Sequence, residues 1–162
     1  MLAHSHLKAG GQVLYRKAKM ADVPHIQALV NGYAEDGLML PRPLSMIYEN
    51  LRDIVVVEAE GRILGTGALH LVWDDLAELR AMAVARDAMG QGLGRKMVDF
   101  LLGEARELGV GKIFALTYQP HFFEKCGFTV VAKETLPQKV WKECINCPKF
   151  PNCDEVALTI QL

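Results

Sequence analysis

Met82-Ala-Val-Ala-Arg-Asp-Ala-Met-Gly-Gln-Gly-Leu-Gly-Arg-Lys96 joins an apolar run to a helical pattern through glycines at every second position. The run spans Leu79 to Val84, the loop carries Gly90, Gly92 and Gly94, and Leu93, Met97, Leu101, Ala105 and Leu108 then recur at helical spacing. A strand that feeds a glycine loop opening into a helix makes an anion site. Unspent N–H groups and the positive end of the helix dipole face the loop, and glycine lets a phosphate reach the backbone. Arg95 and Lys96 add positive charge beside it. Residues Met89, Gly90, Gln91, Gly92, Leu93, Gly94 and Arg95 therefore read as a pyrophosphate cradle. The dinucleotide fingerprint G-x-G-x-x-G does not fit, because the third glycine comes one position early; the phosphate loop G-x-x-x-x-G-K-[ST] is absent.

The rest of the chain frames that loop. Val13 to Ala18 reads as a strand, and a helix capped by Asp22 runs to about Glu35, with Ile26, Leu29 and Val30 on one face. Arg42 stands between two prolines ahead of a short helix, Leu44 to Leu51. Ile54–Ala59 and Ile63–Trp73 read as strands joined at Glu60-Gly61, followed by a third strand, Leu76–Val84. After the long helix, which ends at Gly109, come a strand from Lys112 to Thr117, a short helix from Pro120 to Cys126 and a strand from Phe128 to Ala132. A last strand spans Val156 to Leu162. Three meandering strands before one strand–helix–strand crossover imply an α/β chain of α+β type. Its mixed sheet would be antiparallel first and parallel later, with helices on both faces.

Composition bounds the rest. A chain of 162 residues with 51% hydrophobic content makes one domain with a filled core, expected over 13–162 behind a flexible leader at 1–12 that carries His4 and His6. Lys and Arg total 18 against 19 Asp and Glu, so no basic excess marks a nucleic-acid binder. No apolar run approaches the roughly eighteen residues of a membrane span, and no signal-peptide core is expected, which points to a soluble cytoplasmic protein. Cys144, Cys147 and Cys153 include one C-x-x-C; zinc would need a fourth ligand such as Cys126 or Asp154, and packing thiols are preferred to a metal site.

The glycine loop resembles the acetyl-coenzyme A signature [QR]-x-x-G-x-[GA] of the GNAT superfamily of N-acetyltransferases, with Gly92 and Gly94 at the small positions and Met89 where Arg or Gln is usual. Phe122-Phe-Glu-Lys-Cys-Gly-Phe128 is similar to the superfamily's F-Y-E-K-x-G-F segment, and the element order matches its fold, so the resemblance covers the chain from about Tyr15 onward. It implies acetyl-coenzyme A as co-substrate, with Met82, Ala83, Val84 and Phe123 joining the cradle residues around it.

Ala77-Glu-Leu-Arg-Ala-Met-Ala-Val84 further resembles the A-E-L-x-x-x-A-V strand of bacterial N-acetylglutamate synthases. Phe123 stands where many GNAT enzymes carry tyrosine, and those synthases are similar in having phenylalanine there. Leu38-Met-Leu-Pro-Arg42, Leu136-Pro137 and the cysteine segment resemble their short single-domain form. The implied acceptor is L-glutamate, the implied setting arginine biosynthesis, and a homodimer is admitted. Met89 and Pro43 depart from the longer enzymes' pattern.

The residues bear on the chemistry independently. An ammonium acceptor must lose a proton before it attacks a thioester, and Glu78 is the acidic side chain of the central strand, a general base working through water. The alternative is that Glu78 and Arg80, on one strand face, simply pair. A backbone N–H near Met82 or Val84 can receive the oxyanion. Tyr118 or Thr117 can protonate the leaving sulfur, although a thiol of pKa about 8.5 can also leave as thiolate. Two carboxylates call for two forked cations, Arg42 and Arg80, with Lys139 a weaker third. The competing functions are transfer to another small amine or a protein N-terminus, a coenzyme A sensor without turnover, and a zinc-stabilised module.

Overall fold

Val55, Val56 and Val57 are fully buried β-branched residues and form the centre of strand β3 (Ile54–Ala59) in the computed structural model, which describes residues 3–4, 12–39, 41–137, 140 and 154–162. β4 (Arg62–Trp73) and β5 (Leu76–Val84) follow as an antiparallel meander. Glu60 and Gly61 turn the first hairpin with φ of 52° and 76°, as a two-residue turn with both φ positive requires. β2 (Gln12–Lys17) pairs with β3, and β1 (Ala3–His4), within the expected leader, pairs with β2. Helix α3 (Leu93–Leu108) crosses from β5 to β6 (Lys112–Thr117), its parallel neighbour. The sheet ends with β8 (Val156–Gln161) inserted between β6 and β7 (Thr129–Val131), both pairings antiparallel, for an order of β1-β2-β3-β4-β5-β6-β8-β7.

Alternation along β3 divides the core. Val55 and Val57 face α3, whose Met97, Val98, Leu101 and Ala105 are wholly buried against Leu79 and Ile113. Val56 faces the other way, with Ile54 and Ala68, onto Val23, Ile26 and Val30 of α1 (Val23–Glu35) and Ile47 of α2 (Leu44–Glu49). Gly109 ends α3 at φ 85°, and Gly127 follows α4 (Pro120–Lys125) at φ 99°, so both helix stops fall where glycine marks them.

Asp22 stands at the N-cap of α1, but its side chain makes no bond to the helix. Its carboxylate accepts the Lys19 N–H at 2.7 Å, closing the 3-10 turn Met20–Asp22, and two guanidinium N–H groups of Arg16 at 2.8 and 3.0 Å. A half-buried arginine fork outcompetes a lone helix N–H for those oxygens. No helix among the described residues is long and apolar enough to cross a membrane.

Candidate active site

β5 and β6 part company halfway along. Their ladder holds Leu76, Ala77 and Glu78 against Lys112, Ile113 and Phe114 and goes no further, although β5 runs on to Val84 and β6 to Thr117. The cause lies across β5 in its ladder with β4. Thr66 pairs Ala83 and Ala68 pairs Arg80, so Gly67 alone opposes both Ala81 and Met82. Ala81 is the extra residue of this bulge, with φ 58°. A bulge also resets alternation. Ala77 and Leu79 face α3 before it, and Met82 and Val84 pack on that same face after it. Ala81 is left on the α1 face, beside Arg80. Gly67 makes room for this, because a Cβ there would stand 2.4 Å from the Met82 sulfur.

The opening between the strands is a cleft of about 420 Å³. Its walls include every expected cradle residue except Gln91, together with Met82, Ala83, Val84 and Phe123. Gly90 and Gly92 take φ of 80° and 79°, and Gly92 is the N-cap of α3. The first ladder bond of α3 runs from Lys96 N–H to the Gly92 carbonyl at 3.1 Å, so the preceding N–H groups of Leu93, Gly94 and Arg95 have no carbonyl within the helix. Gly94 serves close approach instead: a Cβ would meet the Phe122 ring at 3.1 Å. Phe123 is buried in an edge-to-face stack with Phe122 and Phe128, at 5.1 and 5.3 Å between centroids, and closes the cleft floor. These features fit a group with a diphosphate at one end and a long uncharged arm.

Arg80 stands where the cleft meets a second, narrower cavity under α1 and α2. It lines both, and Arg42, Asn50 and Asp53 line the second with it. The Arg80 side chain is 7% exposed, and its Nη1 lies 3.6 Å from Glu78 Oε1. The two expected arginines are thus brought together around one cavity. Glu78 sits on the α1 side of β5 paired with Arg80, outside the walls of the larger cleft. Arg42 is anchored through its backbone N–H, which donates to Asn31 Oδ1 at 3.3 Å.

Thr117 lines the cleft and its hydroxyl accepts the Gln119 N–H at 2.9 Å. Tyr118 does not line it: the phenol donates to Asp154 Oδ1 at 2.7 Å, directing it to the start of β8. Lys139, Cys144, Cys147 and Cys153 lie outside the described residues.

Sequence reasoning missed three contributors. Tyr33 of α1 lines the cleft, donating its hydroxyl to the Val84 carbonyl at 2.6 Å with the Met89 sulfur 3.5 Å from the same oxygen, while Arg86 covers its ring at 4.5 Å and pairs with Asp36. Glu155 lines the cleft from the approach to β8, and Asp53 the second cavity. Tyr33 lies on a weakly amphipathic helix far from the glycine loop in sequence, and no local pattern announces such a contact.

The acetyltransferase (GNAT) family model matches residues 26–128. The chain is 38% identical to an uncharacterised N-acetyltransferase of Chlorobaculum tepidum, over 88% of its own length and 92% of that relative. It is 37% identical to an amino-acid acetyltransferase of Mycobacterium tuberculosis, over 79% of its length and 75% of the relative. Its fold superposes on an N-acetylglutamate synthase of Neisseria gonorrhoeae complexed with coenzyme A and N-acetyl-glutamate, with a TM-score of 0.84 and 26% identity. That match covers 93% of this chain and only 35% of the larger neisserial chain.

Proposed function

The chain belongs to the acetyltransferase (GNAT) family, and from that premise we propose that it transfers the acetyl group of acetyl-coenzyme A to the α-amine of L-glutamate. The observation that carries the acceptor is the position of Arg80, shared between the cleft lined by the glycine loop and a cavity to which Arg42 also contributes. A dicarboxylate acceptor needs one cation for each carboxylate, and arginine forks suit both. The ligands of the gonococcal synthase, a coenzyme A and an acetylated glutamate, support the same reading.

In this account the Leu93, Gly94 and Arg95 N–H groups hold the pyrophosphate, with Met89, Gly90 and Gly92 shaping the loop. The main chain of Met82–Val84 and the Phe123 ring flank the pantetheine arm. Acetyl-coenzyme A supplies an acyl group already activated as a thioester. Glu78 removes a proton from the acceptor ammonium through a water, Arg80 holds both Glu78 and an acceptor carboxylate, and Arg42 holds the other carboxylate. A main-chain N–H beside the Ala81 bulge receives charge developing on the carbonyl oxygen. Thr117, which lines the cleft, protonates the leaving sulfur in this reading, and the Tyr118 phenol, bonded to Asp154, is the other candidate.

Arg42→Ala tests the acceptor half. Stranding a carboxylate typically costs about 2–4 kcal/mol, or roughly thirty- to a thousandfold in affinity. KM for glutamate should rise by that order while KM for acetyl-coenzyme A stays near its parent value. An unchanged glutamate KM would remove Arg42 from the site.

A further inference from the structure

His70 stands opposite Glu78 in the ladder between β4 and β5. Directly opposed residues of an antiparallel pair share a sheet face, with Cβ atoms about 5 Å apart. On its other side, His70 Nδ1 lies 2.8 Å from Asp53 Oδ2. Asp53 in turn lines the cavity shared by Arg42 and Arg80. A carboxylate, an imidazole and a second carboxylate therefore follow one another across the turn before β3, β4 and β5.

Resting on the function proposed above, we propose that His70, oriented by Asp53, is a positioning residue that carries the acceptor's proton away from Glu78. The Asp53 carboxylate accepts a hydrogen bond only if the imidazole proton sits on Nδ1, which makes Nε2 the basic nitrogen. The balance of protons requires an outlet. The ammonium nitrogen gives one proton to Glu78 before its lone pair forms the C–N bond, and its second departs with the sulfur as the C–S bond breaks. One proton is thus left on Glu78 in every turnover. His70 Nε2 takes it, the imidazolium is held against Asp53, and the His70 side chain, 27% exposed, returns it to solvent. Among the described residues, Asp53 before β3, Arg42 before α2, and Glu78 and Arg80 on β5 are the charged groups gathered here.

The test is a double-mutant cycle with the best acceptor the parent enzyme uses, so that it stands even if that acceptor is not glutamate. His70→Ala should lower kcat about ten- to a hundredfold, a share of the effect usual for acid–base groups, with both KM values near the parent's. Added imidazole should restore much of it, and His70→Gln, which cannot carry a proton, should behave like the alanine variant. In a Glu78→Gln background, where the carboxylate can no longer take the proton, removing His70 should cost nothing further. Equal losses in both backgrounds would overturn the relay, as would a rescue by glutamine or a loss confined to KM. Nitrogen NMR reads the same arrangement without turnover: His70 should be the Nδ1–H tautomer and lose that preference in Asp53→Asn. The opposite tautomer in the parent protein would overturn it.

Discussion

Gly67 and Met82 are fitted to each other across the β4–β5 ladder: a Cβ on residue 67 would lie 2.4 Å from the Met82 sulfur and 3.3 Å from a Leu101 methyl. This fit keeps the bulge at Ala81 in place, and the bulge is what separates β5 from β6 and opens the cleft. Gly67→Ala should therefore overpack the site by about 1–3 kcal/mol, lowering Tm by roughly 2–4 °C per kcal/mol for a chain of this size. Met82→Ala added to it should recover part of the loss, because the clash disappears. Thermal melts showing the two losses simply adding would contradict the fit.

The cradle makes a second prediction. A Cβ on Gly92 would meet nothing within 4 Å, so a side chain can start there without disturbing the core. Gly92→Glu should cost on the order of 1–2 kcal/mol of backbone strain at φ 79° and abolish acetyl-coenzyme A binding by bulk and like charge. Titration calorimetry giving parent-like affinity in a folded variant would sink the pyrophosphate assignment.

A third concerns acid stability. The Arg16 fork, seconded by the Lys19 N–H, holds the Asp22 carboxyl below the usual carboxylate range. A lowered folded pKa means that the contribution is complete above the unfolded value of about 3.9 and disappears as pH falls through the folded one. Asp22→Asn should cost roughly 1.5–3 kcal/mol at pH 7, and the gap to the parent should begin to narrow below about pH 4 and close as pH falls through the lowered folded pKa. Denaturant melts with a gap as wide at pH 3 as at pH 7 would contradict this.

Elements whose signal is local were legible in the sequence. The α3 stripe from Leu93 to Leu108, the Glu60-Gly61 turn and the run Leu76–Val84 each fall where periodicity and glycine place them. The insertion of β8 between β6 and β7 was not legible, since it depends on pairing across a long connection. Nor was the bulge, because Ala81 is an ordinary residue in an unusual conformation and its cause, Gly67, lies on another strand. Among the residues that line the two cavities, the glycine loop and both arginines stand out by residue type and spacing. Tyr33, Asp53 and the diversion of Tyr118 to Asp154 arise from contacts between elements distant in sequence.

Acetyl transfer to each amino acid in turn, at fixed acetyl-coenzyme A, decides whether the acceptor site is built for two carboxylates. L-Glutamate should be the best acceptor. Glutamine, lacking one charge, and aspartate, with a shorter span between charges, should each lose at least about tenfold in kcat/KM, the factor that 1.4 kcal/mol of lost charge pairing yields. Equal turnover of glutamate and glutamine would contradict a site built on two carboxylate-binding arginines.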